Sequence, residues 1–191
     1  MLHKINPNYL TGFGLTIVPF MIVAQQIGGI DGLGICLTLL VLREATDIAD
    51  GQLARYTNQI TTFGKLFDPL VDSLARYLLF LGFMASGWMP LWMAAIIFSR
   101  DIVVAYTRVF AASYGIVMAA RSSGKYIKAI PQAVAQITTV LGYLLVECGL
   151  KLPIENISWV LLFIATVATA STAFDYIYAA WTQIRNKPVP L

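Results

Sequence analysis

The sequence predicts an all-α integral membrane protein, with six transmembrane helices in a single bundle and both termini cytoplasmic. Three observations carry this expectation. Of 191 residues, 58% are hydrophobic and only 12% charged, whereas a typical soluble domain carries about 25% charged residues. Six apolar stretches reach the roughly 20 residues needed to cross the hydrocarbon layer. Basic residues recur at alternate ends of those stretches, as successive crossings require. With a mean hydropathy of +0.73, the composition excludes a water-soluble globular protein. Thirteen Lys plus Arg against ten acidic residues give a formal net charge of +3, which provides no basic field for nucleic acid.

The expected spans run from Tyr9 to Gln26, Gly32 to Tyr56, Phe63 to Ser86, Leu91 to Val117, Tyr126 to Val146, and Ile157 to Ile184. Gly28-Gly29, Gly87, Ser122-Ser123-Gly124 and Pro153 punctuate the gaps between them. Backbone groups in lipid must be satisfied internally, and these runs are far longer than barrel strands, so helices are the economical reading. His3 and Lys4 precede the first span. Arg55 and Lys65 border the loop after the second, Arg121, Lys125 and Lys128 occupy the loop after the fourth, and Arg185 and Lys187 follow the sixth. The other loops hold Asp31, no charge, and Lys151 between Glu147 and Glu155. That asymmetry places the termini in the cytoplasm. No removable leader, internal repeat or low-complexity tract is read, which implies one domain over residues 1–191. Cys36 and Cys148 lack metal or disulfide spacing and read as packing residues. Trp88, Trp92, Trp159 and Trp181 near span ends read as interfacial anchors, and His3 as a terminal interface residue.

Ionisable groups in lipid cost at least about 2.5 kcal/mol each, so those kept near spans usually line a polar cavity. Here they concentrate in the second and third spans. Asp47 and Asp50 are three residues apart, and Asp68 and Asp72 four apart, so each pair shares one helical face near the cytoplasmic end. If the two faces meet, four carboxylates form one pocket, whose repulsion requires protonation, arginine pairing or a cation. Arg43 and Arg76 supply part of that compensation. All-oxygen coordination suits magnesium or manganese in company with a substrate phosphate, so the residues point to a metal-assisted phosphate site. Gly51 and Ala54 sit one turn beyond Asp47 and Asp50, where missing side chains leave room for a ligand, or alternatively serve close helix packing. Arg55 offers a forked donor to phosphate.

Together, Asp47-x2-Asp50-Gly51-x2-Ala54-Arg55-x8-Gly64-x3-Asp68-x3-Asp72 resembles the signature of the CDP-alcohol phosphotransferases, integral membrane enzymes of phospholipid synthesis. All eight fixed positions match. The resemblance implies that Asp47, Asp50, Asp68 and Asp72 hold two divalent ions, Mg2+ or Mn2+, and that Asp72 also serves as general base. It further implies nucleotide contacts from Gly51, Ala54, Arg55 and Thr61. The segment Asn6-Pro7-Asn8-Tyr9-Leu10-Thr11 is similar to the family's first-helix start, so Asn8 and Thr11 are nucleotide-binding candidates, with a helix cap as the alternative for Asn8. The implied reaction moves a phosphatidyl group from CDP-diacylglycerol to an alcohol and releases CMP, at the cytoplasmic face of a bacterial inner membrane.

The acceptor is read from the later half. Ser99 to Arg108 and Arg121 to Lys128 resemble matching stretches of bacterial phosphatidylglycerophosphate synthases, which implies glycerol 3-phosphate, with Arg108, Lys125 and Lys128 as ligands of its phosphate. Positive-inside topology is the plainer reading of those lysines. Two positions depart from that branch: Gly14, where many glycerophosphate enzymes carry arginine, and Gly124-Lys125-x-x-Lys128, stretched by one residue. Serine, inositol phosphate or another polyol phosphate therefore stay open as acceptors. Asp175 is expected to be a buried acid paired with an arginine of another span. From a different class, an ion or proton transporter would also use intramembrane acids, although Gly51, Ala54 and Arg55 have no part in it and no repeated halves are visible. Small-residue faces are compatible with a homodimer.

Overall fold

A computed structural model describes residues 7–56, 62–116, 118 and 122–186, and their side chains except those of 7–11, 13, 48, 50–56, 62–69 and 122–125. Six helices occupy these residues: α1 (Pro7–Ile27), α2 (Gly29–Tyr56), α3 (Thr62–Ala85), α4 (Leu91–Ser113), α5 (Ser122–Glu147) and α6 (Ile154–Arg185). No strand occurs among them. The described residues are therefore all-α, as the apolar runs predict.

Four boundaries differ from the expected spans by three or four residues. α5 begins at Ser122 rather than Tyr126, so that Ser122-Ser123-Gly124 lie inside the helix instead of in a gap, and α6 begins at Ile154 rather than Ile157. The other two differ for identifiable reasons. Gly28 and Gly29 both take positive φ, at 67° and 62°, a region open to glycine at little cost. That pair reverses the chain so abruptly that α2 begins at Gly29 rather than Gly32, with Asp31 in its first turn facing the positive end of the helix dipole. At the other end of the sequence's second pair, α4 stops at Ser113, not Val117. Gly115 has φ 66°, and the Ile116 amide donates back to the Ala111 carbonyl at 3.0 Å, the 6→1 closure that ends a helix.

The helices form a ring. α1 packs on α2 and α3, α3 on α4, α4 on α6, α6 on α5, and α5 on α2, while a narrower α3–α5 contact crosses the middle. The crossing divides the ring into two four-helix compartments, one of α1, α2, α3 and α5, the other of α3, α4, α5 and α6. Val18, Met21, Leu40, Leu79, Phe80, Phe83, Met93, Val140 and Leu162 are fully buried at their junctions. Small residues set the approach of neighbouring helices: a Cβ on Gly14 would touch Thr46 and Arg43 at 3.9 and 4.0 Å, and one on Gly142 would collide with Ile154.

Polar side chains bind the helices across apolar interfaces, a role they commonly take inside membranes. Gln132 donates to the Thr169 hydroxyl at 2.8 Å and Gln136 to the Arg76 carbonyl at 3.0 Å, both fully buried. Two stretches, Tyr126–Glu147 and α6, are long and apolar enough to cross a bilayer, and Gly14–Ile27 is a shorter apolar helix. α2, α3 and α4 carry the ionisable residues that lower their hydropathy. Large side chains such as Phe174 and Tyr178, each 74% exposed, cover the outside of α6.

Two expectations are corrected. Cys148 is not a packing residue: Cys36 is buried but Cys148 is exposed, beyond the end of α5. Asp175 is exposed rather than buried, and no arginine pairs with it among the described residues. The reason is helical phase, because Thr172 and Tyr176 occupy the buried face of α6 and Asp175 is turned about 100° from Tyr176.

Candidate active site

The first compartment holds an alternating chain of charges between α2 and α3. Arg43 reaches in two directions: Nη1 pairs closely with Glu44 Oε1, and Nη2 donates to Asp72 Oδ1 at 3.2 Å. Arg76 Nη2 donates to the other oxygen of Glu44, Oε2, at 3.0 Å. The guanidinium-bearing side chains are 4% and 5% exposed and Glu44 is 17% exposed. At such depth a lone charge is costly, and pairing offsets the desolvation. α2 and α3 do not pack directly on each other among the described residues. The arginines span the space between them, which α1 and α5 flank.

Asp47 follows Arg43 by one turn, on the same face of α2, and is half-buried, as is Asp72 on α3. Asp50 lies on α2 and Asp68 on α3, but their side chains are outside the described residues, as are those of Gly51, Ala54, Arg55, Asn8 and Thr11. Asn8 falls inside α1, which begins at Pro7. Thr61 and His3 lie outside the described residues altogether. Among the described residues no three His, Cys, Asp or Glu side chains form a metal-sized cluster. The described part of the donor set fits a hard divalent cation in kind: Asp47 and Asp72 offer carboxylate oxygens only, and Asp72 is already held by a positive charge, that of Arg43.

The second compartment is built around Asp101 and Tyr176. Lys128 Nζ on α5 donates to both oxygens of Asp101, at 2.7 and 2.6 Å, and to the Ser73 hydroxyl of α3 at 3.0 Å. Arg100 donates to Asp101 Oδ1 and to the Thr172 hydroxyl, each at 2.8 Å. Arg108, two turns along α4, donates through Nη2 to the Tyr176 hydroxyl at 2.7 Å. Both guanidinium groups also lie over the Tyr176 ring, 5.8 and 5.1 Å from its centre, within cation–π range. The Nε of Arg108 is buried and has no partner among the described residues. Lys125 lies nearly one turn before Lys128 on α5, its side chain outside the described residues.

Sequence reasoning had pointed to Arg108 and Lys128, and the structure brings them into one compartment. It had assigned no role to Glu44, Asp101, Thr172 or Tyr176. Glu44 was legible as an acid three residues before Asp47. On its own helix Asp101 is preceded by Arg100 and followed by Arg108 seven residues on, so its partner Lys128 on α5 had no local signal. Thr172 and Tyr176 are one turn apart, a spacing that helices use equally for core packing.

Among the described side chains, the two compartments carry opposite excess charge. In the second, Arg100, Arg108 and Lys128 face the single carboxylate of Asp101. In the first, Glu44 and Asp72 pair with Arg43 and Arg76, and Asp47 lies one turn beyond Arg43 on α2. An acid-rich cluster next to a cation-rich one suits a reaction in which a metal-bound pyrophosphate meets a second anionic reactant. The chain belongs to the CDP-alcohol phosphatidyltransferase family, whose model matches residues 4–172.

Similar proteins are named CDP-diacylglycerol–glycerol-3-phosphate 3-phosphatidyltransferase. That of Yersinia pestis (strain Pestoides F) is 31% identical, covering 93% of this chain and 96% of its own length. That of Bacillus subtilis (strain 168) is 31% identical over 78% of this chain and 74% of its own. A third, from Rickettsia felis, is 28% identical over 91% and 93%.

Proposed function

We propose that this chain is a phospholipid-synthesising transferase that moves the phosphatidyl group of CDP-diacylglycerol to glycerol 3-phosphate and releases CMP. One observation carries the reading: the family's acidic helices α2 and α3 stand beside a compartment with surplus cations, which a doubly charged acceptor requires. The names of the bacterial relatives supply the acceptor. The chain acts as one domain of six spans in the inner membrane, termini and active site toward the cytoplasm. The apolar helices, the alternating basic residues and the bacterial relatives support that placement.

Asp47, Asp50, Asp68 and Asp72 are the residues that would hold two Mg2+ or Mn2+ ions, which when bound neutralise the pyrophosphate and orient it. Asn8, Thr11, Gly51, Ala54, Arg55 and Thr61 receive the cytidine diphosphate. Asp72 accepts the proton of the acceptor hydroxyl as that oxygen bonds to the lipid-bearing phosphorus. The phosphorus–oxygen bond to CMP breaks, CMP carries away its electron pair, and the proton on Asp72 passes to cytoplasmic water. Arg108, Lys125 and Lys128 hold the phosphate of glycerol 3-phosphate away from the four aspartates. Lys128 is engaged by Asp101, so Arg108, whose Nε has no partner among the described residues, is the readier ligand of the three.

The test is CMP release by the purified protein given CDP-diacylglycerol, Mg2+ or Mn2+, and separate acceptors. Glycerol 3-phosphate is expected to give the largest rate. Turnover with serine or an inositol phosphate alone would overturn the acceptor, and cation flux in vesicles without CMP release would overturn the enzyme.

A further inference from the structure

Arg76 takes no part in the reaction above, and one of its nitrogens is uncommitted. Nη2 donates to Glu44 Oε2 at 3.0 Å, while Nη1 is buried without a hydrogen-bond partner among the described residues. The side chain is 5% exposed, deep enough that an unsatisfied donor is costly. Glu44 and Asp72 already balance the charges of Arg43 and Arg76. Arg76 therefore offers a ligand N–H donors rather than surplus charge, which suits a neutral oxygen acceptor better than a phosphate.

The position of Arg76 along the bundle narrows the choice of acceptor. It is the last charged residue of α3, which continues Tyr77-Leu78-Leu79-Phe80-Leu81-Gly82-Phe83-Met84-Ala85. On α2 the stretch from Gly32 to Leu42 is equally uncharged, and the charges begin at Arg43-Glu44. The Glu44–Arg76 pair joins the two helices at this border, so the polar and apolar parts of both meet at one level. A CDP-linked diacyl lipid has the same border in its own structure, where ester carbonyls stand between the phosphates and the acyl chains. Arg76 lies one turn beyond Asp72 on the apolar side, about 6 Å along the axis, and the esters follow the lipid-bearing phosphorus by a few bonds.

We propose that Arg76 is a donor-binding residue whose Nη1 hydrogen-bonds an ester carbonyl of CDP-diacylglycerol and so sets the register of the lipid against the acidic helices. This rests on the proposed transferase function. A buried water would satisfy the same nitrogen, and a donor without carbonyls tells the two apart.

The experiment compares CDP-diacylglycerol with the dialkyl ether donor of equal chain length, in detergent micelles of fixed composition with Mg2+ and glycerol 3-phosphate, and reads kcat/KM from CMP release. Wild type is expected to favour the ester about tenfold, the scale of one hydrogen bond to a charged group. Arg76→Lys keeps a cation for Glu44 but lacks the second nitrogen, and its preference is expected to fall to within about twofold. Both donors are read on the same preparation, so a misfolded fraction cancels from the ratio. A wild-type ratio near one leaves Nη1 to water and overturns the inference. An Arg76→Lys ratio as large as that of wild type, or loss of turnover with both donors in that variant, overturns it as well. Wild type that releases CMP from neither donor overturns the transferase function and the inference with it.

Discussion

The two compartments solve the same problem, charge in an apolar bundle, in different ways. Between α2 and α3 the charges alternate in a chain, Asp72, Arg43, Glu44, Arg76, so each arginine is shared or spanning and the helices stand apart. Between α4, α5 and α6 the charges radiate from hubs: Asp101 takes Lys128 and Arg100, and Tyr176 takes Arg108 and the faces of two guanidinium groups. A chain of long side chains tolerates insertion of a ligand between its helices. A hub fixes the cations around it. The contrast fits a donor site that must admit ions with a nucleotide, and an acceptor site that must present fixed positive charge.

The comparison breaks most visibly at the aspartates. Asp72→Asn or Asp47→Asn is expected to lower CMP release by on the order of 10^3-fold or more, while the helical content by circular dichroism stays unchanged. Retained activity above a tenth of wild type in either variant contradicts the assignment of the acidic compartment to the chemistry. Arg108→Leu is expected to raise the KM for glycerol 3-phosphate about tenfold to a hundredfold, with the KM for CDP-diacylglycerol nearly constant. A matching rise for both substrates would merge the two compartments into one site.

Smaller effects separate hub from ligand. Lys128→Met leaves Asp101 with Arg100 alone and removes the tie to Ser73. Loss of a buried partner predicts about 3 kcal/mol of destabilisation, read as a lower melting temperature in detergent. If stability holds and only acceptor binding suffers, Lys128 is a free phosphate ligand and the hub description fails. Tyr176→Phe keeps the ring under both guanidinium groups but deletes the hydroxyl that accepts from Arg108. The expected cost is about 1 kcal/mol in acceptor binding, a fewfold rise in KM, and no change at all would mean that the ring alone holds Arg108.

The acidic side was more legible in the sequence than the basic side, for a physical reason. Asp47, Asp50, Asp68 and Asp72 announce themselves through helical spacing, because i to i+3 and i+4 neighbours must share a face. The hubs of the other compartment join Asp101 to Lys128, 27 residues on, and Arg108 to Tyr176, 68 residues on. Such pairs depend on which helices become ring neighbours, and no local pattern encodes that order. Glu44 sat in plain view beside Arg43. Its partner Arg76 lies on the next helix, so spacing within α2 alone could not show that it is shared. Asp175 failed by one residue of helical phase, which a hydropathy run of 32 residues does not specify. The ends of α2 and α4 shifted because Gly28, Gly29 and Gly115 adopt left-handed backbone, where the chain turns regardless of how apolar the flanking residues are.

The division of labour between the compartments is tested most directly by measuring the binding of each reactant alone. Titration calorimetry with a CDP-diacylglycerol analogue plus Mg2+, and separately with glycerol 3-phosphate, applies to wild type, Asp72→Asn and Arg108→Leu. The account predicts that Asp72→Asn weakens the Mg2+-dependent nucleotide lipid and spares glycerol 3-phosphate, while Arg108→Leu does the reverse. Loss of both ligands together in either variant would contradict it.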